Sequence, residues 1–83
     1  MQQSIGDRIR LERLRGRLSQ IELAARVGLT QHTVSKIEND MVDLKLSYVR
    51  TFARVLDVSV AYLLGLEAEA SRKEPAPGAA VGV

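Results

Sequence analysis

A chain of 83 residues with a net charge of +2, no cysteine and one histidine has few ways to act as an enzyme. A chain this short forms one small domain, which buries only about 60–65% of its unfolded surface and has little room for an enclosed substrate pocket. Without cysteine it has no disulfide and no thiolate ligand, and one histidine leaves too few ligands for zinc. We therefore predict no catalytic activity and no cofactor or metal.

The charge and hydropathy patterns suggest a partner rich in phosphate. No apolar run reaches the roughly 20 residues of a membrane-spanning helix, and residues 1–4 do not begin a signal peptide, so we expect a cytoplasmic protein without membrane contact. A basic surface near the N-terminus fits nucleic acid, and a solvated helix face is the simpler alternative. Five arginines within ten residues form this surface: Arg8, Arg10, Arg13, Arg15 and Arg17.

Apolar periodicity and capping residues predict five helices. They cover residues 5–15, 20–27, 31–38, 48–56 and 60–64. Capping boxes are expected at the start of the first two, formed by Ser4 with Asp7 and by Ser19 with Glu22. Because no hairpin turn of the Asn-Gly or Asp-Gly type and no alternating run is present, the predicted fold class is all-α.

The second half of the chain contains the last two helices and a change of composition. Ser47 and Ser59 are the expected N-caps of the fourth and fifth helices. From Glu67 onward Ala, Glu, Pro and Gly dominate. Residues 1–66 are therefore assigned to the folded domain and residues 67–83 to an extension that is partly helical or disordered. In the fourth helix an apolar stripe predicts packing on a core: Val49, Phe52, Ala53 and Leu56.

Residues 20–39 form two short predicted helices joined by a tight turn. Gly28 supplies the positive φ that ends the first helix, and Thr30 caps the second. A small residue, Ala24, lets the two helices cross closely, since a larger side chain would hold them apart. This arrangement is typical of a helix-turn-helix, whose second helix enters the major groove of DNA.

The second helix of this pair is divided into an apolar side and a polar side. Val34 and Ile37 are its large apolar residues, so one side packs on the core and the other stays free. Each polar residue type on the free side is suited to base edges or phosphates, and each is also common on a solvated surface. The free side carries Gln31, His32, Thr33, Ser35 and Lys36.

A longer pattern extends beyond this pair of helices. It comprises Leu18-Ser19-Gln20, Glu22-Leu23-Ala24, Val27-Gly28-Leu29-Thr30-Gln31, Val34-Ser35-Lys36-Ile37-Glu38-Asn39 and Leu56-Asp57-Val58-Ser59. With these segments, residues 5–66 resemble the lambda-repressor-like, Xre-type helix-turn-helix family of phage repressors, restriction–modification controller proteins and antitoxins. The resemblance implies a compact five-helix bundle that binds double-stranded DNA through its third helix.

Position by position, the resemblance also implies individual contacts with DNA. Gln20 matches a glutamine that holds a backbone phosphate together with the N-terminus of the second helix, where free N–H groups favour an anion. Gln31, His32 and Lys36 match positions that read base edges, since Gln pairs with adenine and Lys donates to guanine. The other candidates for contact with DNA are Thr30, Thr33, Ser35, Asn39 and Lys45.

Arg13 and Glu38 match a pair of residues with a structural role in the family. Arg13 lies on the apolar face of the first helix, where an unpaired charge would be costly. The resemblance implies a partly buried ion pair that fixes the third helix against the first. The chain departs from the family at Asp40 and Leu46, where many relatives have Gly and Pro, and Asp40 adds negative charge near the expected DNA backbone.

A single recognition helix reads too few base pairs for useful specificity. We therefore predict a transcriptional regulator that acts as a homodimer on an inverted repeat, with half-sites about 34 Å apart. The alternative is an antitoxin or adaptor that binds DNA but mainly holds a protein partner. The candidates for the dimer surface are Val60, Tyr62, Leu63 and Leu66.

Overall fold

Five helices follow one another in the computed structural model, which describes residues 3–67. They are Ile5–Arg15 (α1), Gln20–Val27 (α2), Gln31–Glu38 (α3), Leu46–Leu56 (α4) and Val60–Leu63 (α5). No strand occurs in this part of the chain, which confirms the all-α class. None of these helices is long and apolar enough to cross a membrane. Apart from Glu67, the predicted extension lies outside the described residues.

Side-chain caps determine where four of the helices begin. Both predicted capping boxes are present, with Ser4 and Asp7 at α1 and Ser19 and Glu22 at α2. The Ser19 backbone N–H donates to the Glu22 carboxylate at 2.8 Å and lowers the pKa of that carboxyl. At α5 the Ser59 hydroxyl accepts from the backbone N–H of residue 62 at 2.9 Å. The predicted bounds of α1, α2 and α3 are confirmed.

The predicted start of α4 is wrong. The helix begins at Leu46 with Lys45 as N-cap, and no side chain caps it. Ser47, the predicted cap, lies inside the first turn, where its carbonyl accepts from the Thr51 hydroxyl at 3.1 Å. Leu44 packs against the core just before the helix. Its packing positions the chain so that α4 forms two residues earlier than a serine cap would allow.

The ends of α1 and α5 have different backbone geometries. Gly16 is the C-cap of α1, and the next residue, Arg17, lies in the left-handed region with φ 59°. At the other end of the domain α5 stops at Leu63, one residue earlier than predicted, and Leu64 is its C-cap. Gly65 then takes a φ of 84° and closes this helix end.

One apolar core joins all five helices. Every residue predicted to pack from α2, α3 and α4 is buried in it. The loop residue Val58 completes it. The core residues are Ile9, Leu23, Ala24, Val27, Val34, Ile37, Val49, Phe52, Ala53, Leu56, Val58, Tyr62 and Leu63.

The start of α1 and the end of α3 meet at a glycine and an aspartate. A Cβ on Gly6 would lie 2.4 Å from the carbonyl oxygen of Ile37, so only glycine allows this approach. Asp40, with φ 57°, follows α3 and accepts hydrogen bonds from the Gly6 N–H (3.1 Å) and the Ser4 hydroxyl. The acidic departure from the family pattern is thus a second cap on α1.

Candidate nucleic-acid interface

The turn between α2 and α3 has the geometry that the sequence predicts. Gly28 has a φ of 76°, and a Cβ there would meet no atom within 4 Å, so the backbone conformation alone requires glycine. The N–H of Leu29 donates to the carbonyl of Ala24 at 2.9 Å and closes the end of α2. The Thr30 hydroxyl then accepts from the Thr33 N–H at 3.1 Å and starts α3. These contacts fix the angle at which α3 leaves the turn.

The first turn of α3 is the most accessible part of the recognition helix. Val34, Ile37 and Glu38 face inward and are buried, whereas Gln31 and His32 are exposed. Gln20, Thr33, Ser35 and Lys36 are partly exposed, and Thr30, Asn39 and Lys45 are exposed. Within residues 3–67 no candidate DNA-contacting residue is buried, so each has side-chain surface that can be reached from outside.

Arg13 and Glu38 form the ion pair that the resemblance implies. The Arg13 Nε donates to Glu38 Oε2 at 2.6 Å and Nη2 donates to Oε1 at 3.1 Å, a two-bond contact between α1 and α3. Both residues are buried, with exposures of 8% and 3%. In a third hydrogen bond, Arg13 Nη1 donates to the Leu18 carbonyl at 2.8 Å and connects the pair to the loop before α2. The pair holds the C-terminal end of α3 in place.

A chain of hydrogen bonds runs from this ion pair to the exposed start of α3. Gln20 Nε2 donates to Glu38 Oε1 at 3.0 Å, and Gln31 Nε2 donates to Gln20 Oε1 at 2.8 Å. A carboxylate only accepts, so Glu38 must face the amino group of Gln20, and the Gln20 carbonyl must face Gln31. The orientation of both amides is therefore determined by a buried charge.

Gln31 keeps the groups that recognition of adenine requires. Its carbonyl oxygen and its second N–H take no part in the bond to Gln20. A glutamine binds adenine by accepting from N6 and donating to N7, which uses one group of each kind. Sequence analysis placed Gln20 and Gln31 in the interface but missed their link. Their positions in the sequence could have indicated this link, since Gln20 and Gln31 are the first residues of adjoining helices.

A family model described as helix-turn-helix matches residues 9–63. The chain belongs to the helix-turn-helix family of the lambda-repressor, or Xre, type. The fold and family are those of DNA-binding regulators rather than enzymes. Among residues 3–67 no group of three or more His, Cys, Asp or Glu side chains is placed to hold a metal ion.

Solved structures of two DNA-binding proteins are similar over most of this helix-turn-helix domain. The P22 c2 repressor, solved with a synthetic operator, has a TM-score of 0.73 at 26% identity, covering 78% of this chain and 98% of that one. The N-terminal DNA-binding domain of SinR from Bacillus subtilis has a TM-score of 0.70 at 33% identity, covering 78% and 96%. SinR has also been solved with DNA and in a complex with the protein SinI.

The curated relatives include antitoxin HigA1 of Mycobacterium tuberculosis. It is 45% identical over 47 residues, which is 57% of this chain and 32% of HigA1. The chain thus matches about a third of that protein's length.

Two of the predicted dimer residues in this helix-turn-helix domain are core residues. Tyr62 and Leu63 are 3% and 1% exposed, so the prediction that they form a dimer surface is wrong. Burial raises the pKa of Tyr62, the nearby Glu12 carboxylate adds to the effect, and the Arg8 guanidinium lies 5.3 Å from the ring centre. A helix of four residues has too few positions for periodicity to identify its buried face. Leu66 is exposed, and Val60 is partly so.

Proposed function

We propose that this chain is a sequence-specific transcriptional regulator that binds an inverted repeat as a homodimer, with α3 in the major groove. The observation that carries the proposal is the chain of bonds from the Arg13–Glu38 pair through Gln20 to Gln31. It holds a base-reading amide in a fixed orientation at the exposed start of α3. The operator-bound P22 repressor and DNA-bound SinR, with the same fold, support DNA as the ligand.

Base contacts and phosphate contacts fall to different side chains in this proposal. Gln31, His32 and Lys36 read base edges, because they lie on the exposed and partly exposed side of α3. The positioning contacts to phosphate come from the edges of this surface: Gln20, Thr30, Thr33, Ser35 and Asn39. Asn39 is already oriented for this role, since its Nδ2 donates to the Ser35 carbonyl at 2.8 Å and keeps a second N–H.

Selection of bound sites from a random pool of duplex DNA tests the proposal directly. We expect a palindromic consensus whose half-sites are one helical turn apart. An enriched site without internal symmetry would contradict the homodimer, and a pool with no enriched sequence would contradict specific binding. The DNA-bound proteins among its structural relatives make the cytoplasm the proposed compartment.

Gln31→Ala is expected to reduce discrimination at one base pair of each half-site by about 1–3 kcal/mol, with an unchanged melting temperature. The reason is that Gln31 supplies both bonds to one base while its side chain lies outside the core. Affinities for the selected site and its single-base variants measure the effect. Gln3→Ala, at an exposed glutamine outside α3, is the matched control. An equal loss on every DNA sequence would make Gln31 a backbone contact.

Binding to DNA is expected to weaken by at least about tenfold when salt rises from about 50 to 200 mM. Lys36 reads a base edge in this proposal, but its positive charge lies beside the phosphates of the groove and displaces condensed counterions, and this release loses its free-energy advantage in concentrated salt. Fluorescence anisotropy with a labelled duplex at several salt concentrations measures the slope. An affinity that does not depend on ionic strength would contradict a phosphate-contacting interface.

A second function is favoured by the antitoxin relative. The 45% identity with HigA1 over 47 residues is consistent with a chain that binds DNA and also holds a protein partner. SinR, another relative, has been solved in a complex with the protein SinI. Copurification of a partner at fixed stoichiometry from the native host would favour this role. Recovery of the regulator alone, with full affinity for its operator, would favour the first.

A further inference from the structure

Exposed apolar side chains concentrate in one short segment of the domain. Val42 and Tyr48 are 42% and 40% exposed, and with the half-buried Leu44 they line a groove of about 220 Å³ between the end of α3 and the start of α4. Half of the exposed large apolar residues among residues 3–67 lie here: Met41, Val42, Leu46 and Tyr48. A cluster of this kind marks an interaction surface, whereas single exposed apolar residues do not.

We propose that this α3–α4 groove is the contact between two copies of the chain related by a two-fold axis. The proposal rests on the homodimer proposed above and identifies the surface that forms it. The region of α5 and the residues just after it offers fewer exposed apolar side chains, because only Leu64 and Leu66 are exposed there and Val60 is partly exposed. Thr33 of α3 lines the groove, so the axis would pass beside the recognition helix. Both copies of α3 would then flank one axis, as an inverted repeat requires.

The charges at the rim of the groove fit a second copy of the same surface. Asp43 and Lys45 both line it and carry opposite charges. Neither side chain has a hydrogen-bond or ion-pair partner within residues 3–67. In a two-fold contact every pairing occurs twice, so Asp43 of each copy can face Lys45 of the other copy. A partner surface with charges of a single sign would repel either Asp43 or Lys45.

The start of α4 adds an independent reason for a carboxylate at this place. The helix has 11 residues and its N-cap, Lys45, provides no side-chain hydrogen bond. The positive end of its dipole therefore has no side-chain acceptor from its N-cap. Asp43 of the second copy, placed opposite Lys45, would meet both the lysine and this helix end. In this arrangement Lys45 serves the subunit contact rather than the phosphate contact expected from sequence.

Charge reversal tests whether Asp43 of one copy faces Lys45 of the other. Asp43→Lys and Lys45→Asp are each expected to raise the dimer dissociation constant of the full chain by about tenfold or more, since each places like charges opposite one another twice. The double variant Asp43→Lys/Lys45→Asp is expected to recover most of this loss, and so is an equimolar mixture of the two single variants. Sedimentation equilibrium measures the dimer. Thermal melts at concentrations too low for dimer formation should stay unchanged, because both residues are exposed in the single copy.

Cooperative binding to DNA gives a second readout that does not need a strong dimer in free solution. The wild-type chain is expected to bind the inverted repeat more tightly than two independent half-sites would allow, and each single variant should lose this advantage. The double variant should regain it. Affinity for an isolated half-site measures α3 separately. If Lys45 binds phosphate instead, Lys45→Asp and the double variant will both lose half-site affinity without rescue, which overturns the proposal.

Leu66→Ser distinguishes this surface from an α5 dimer. We expect it to leave dimerisation unchanged, whereas Val42→Asp in the groove should abolish it. The reverse result would overturn the groove and leave the homodimer standing. A chain that binds half-sites independently would overturn both the groove and the homodimer, but not DNA recognition by α3. Loss of specific DNA binding by the wild-type chain would instead refute the proposed function.

Discussion

Glu38→Ala is expected to lower the free energy of unfolding by about 3–5 kcal/mol. Arg13 remains buried in this variant without the carboxylate that takes two of its three hydrogen bonds. Its bond to the Leu18 carbonyl persists but supplies no charge. The variant also removes the acceptor of the Gln20 amide, so an affinity loss for the operator should accompany the loss of stability. Urea denaturation followed by circular dichroism measures the first effect.

Two further variants test whether the loss of stability at Glu38→Ala comes from the broken ion pair. Glu22→Ala makes the same change at an exposed helix start and should cost about 1 kcal/mol or less. Arg13→Met with Glu38→Leu removes both charges and should recover most of the stability, because no buried charge is left unpaired. The double variant still lacks the acceptor for Gln20, so its operator affinity should stay low. A loss at Glu38→Ala no larger than at Glu22→Ala would contradict the structural role of the pair.

The helix starts of α1, α2 and α3 were predictable because their caps are local. Ser4, Ser19 and Thr30 each accept from a backbone N–H three residues later, so all the information lies within four consecutive residues. The start of α4 has no such signal. Lys45 provides no cap, and the position of the helix follows from packing of Leu44 against distant parts of the core.

Long-range contacts account for what sequence reasoning missed in the site. The family pattern identified Arg13 and Glu38 as a pair, but it did not show that Glu38 also orients Gln20 and, through it, Gln31. Residue type and spacing identify which side chains are polar and accessible. They do not specify which amide group faces which neighbour, since that depends on three helices meeting at one point.

The role of Asp40 illustrates the same limit. From sequence it was a departure from the family pattern that adds negative charge near the expected DNA backbone. In the structure its carboxylate accepts from the N–H of Gly6, 34 residues earlier in the chain. This bond offsets part of the charge with the positive end of α1. The capping role of Asp40 becomes visible only when α1 packs against the end of α3, and this close packing requires glycine at position 6.

Gly6→Ala is expected to destabilise the domain by about 3 kcal/mol, although alanine favours a helix over glycine by up to about 1 kcal/mol. Its Cβ would lie 2.4 Å from the Ile37 carbonyl oxygen and 2.7 Å from that of Glu38. Both are backbone atoms, so relief requires a movement of α1 away from α3. The same movement would lengthen the bonds between Arg13 and Glu38, which adds to the loss. Thermal and urea denaturation measure the effect.

Two other glycines provide controls for this substitution. A Cβ on Gly16 would have its nearest neighbours at 3.5 and 3.6 Å, so Gly16→Ala should change the free energy of unfolding by less than about 0.5 kcal/mol. Gly28→Ala meets open space but keeps a φ of 76°, so we expect about 1–2 kcal/mol from backbone strain alone. If Gly6→Ala is no worse than Gly16→Ala, α1 and α3 do not approach as closely as described. If the three follow the expected order, close helix contact accounts for the largest loss and backbone conformation for the intermediate one.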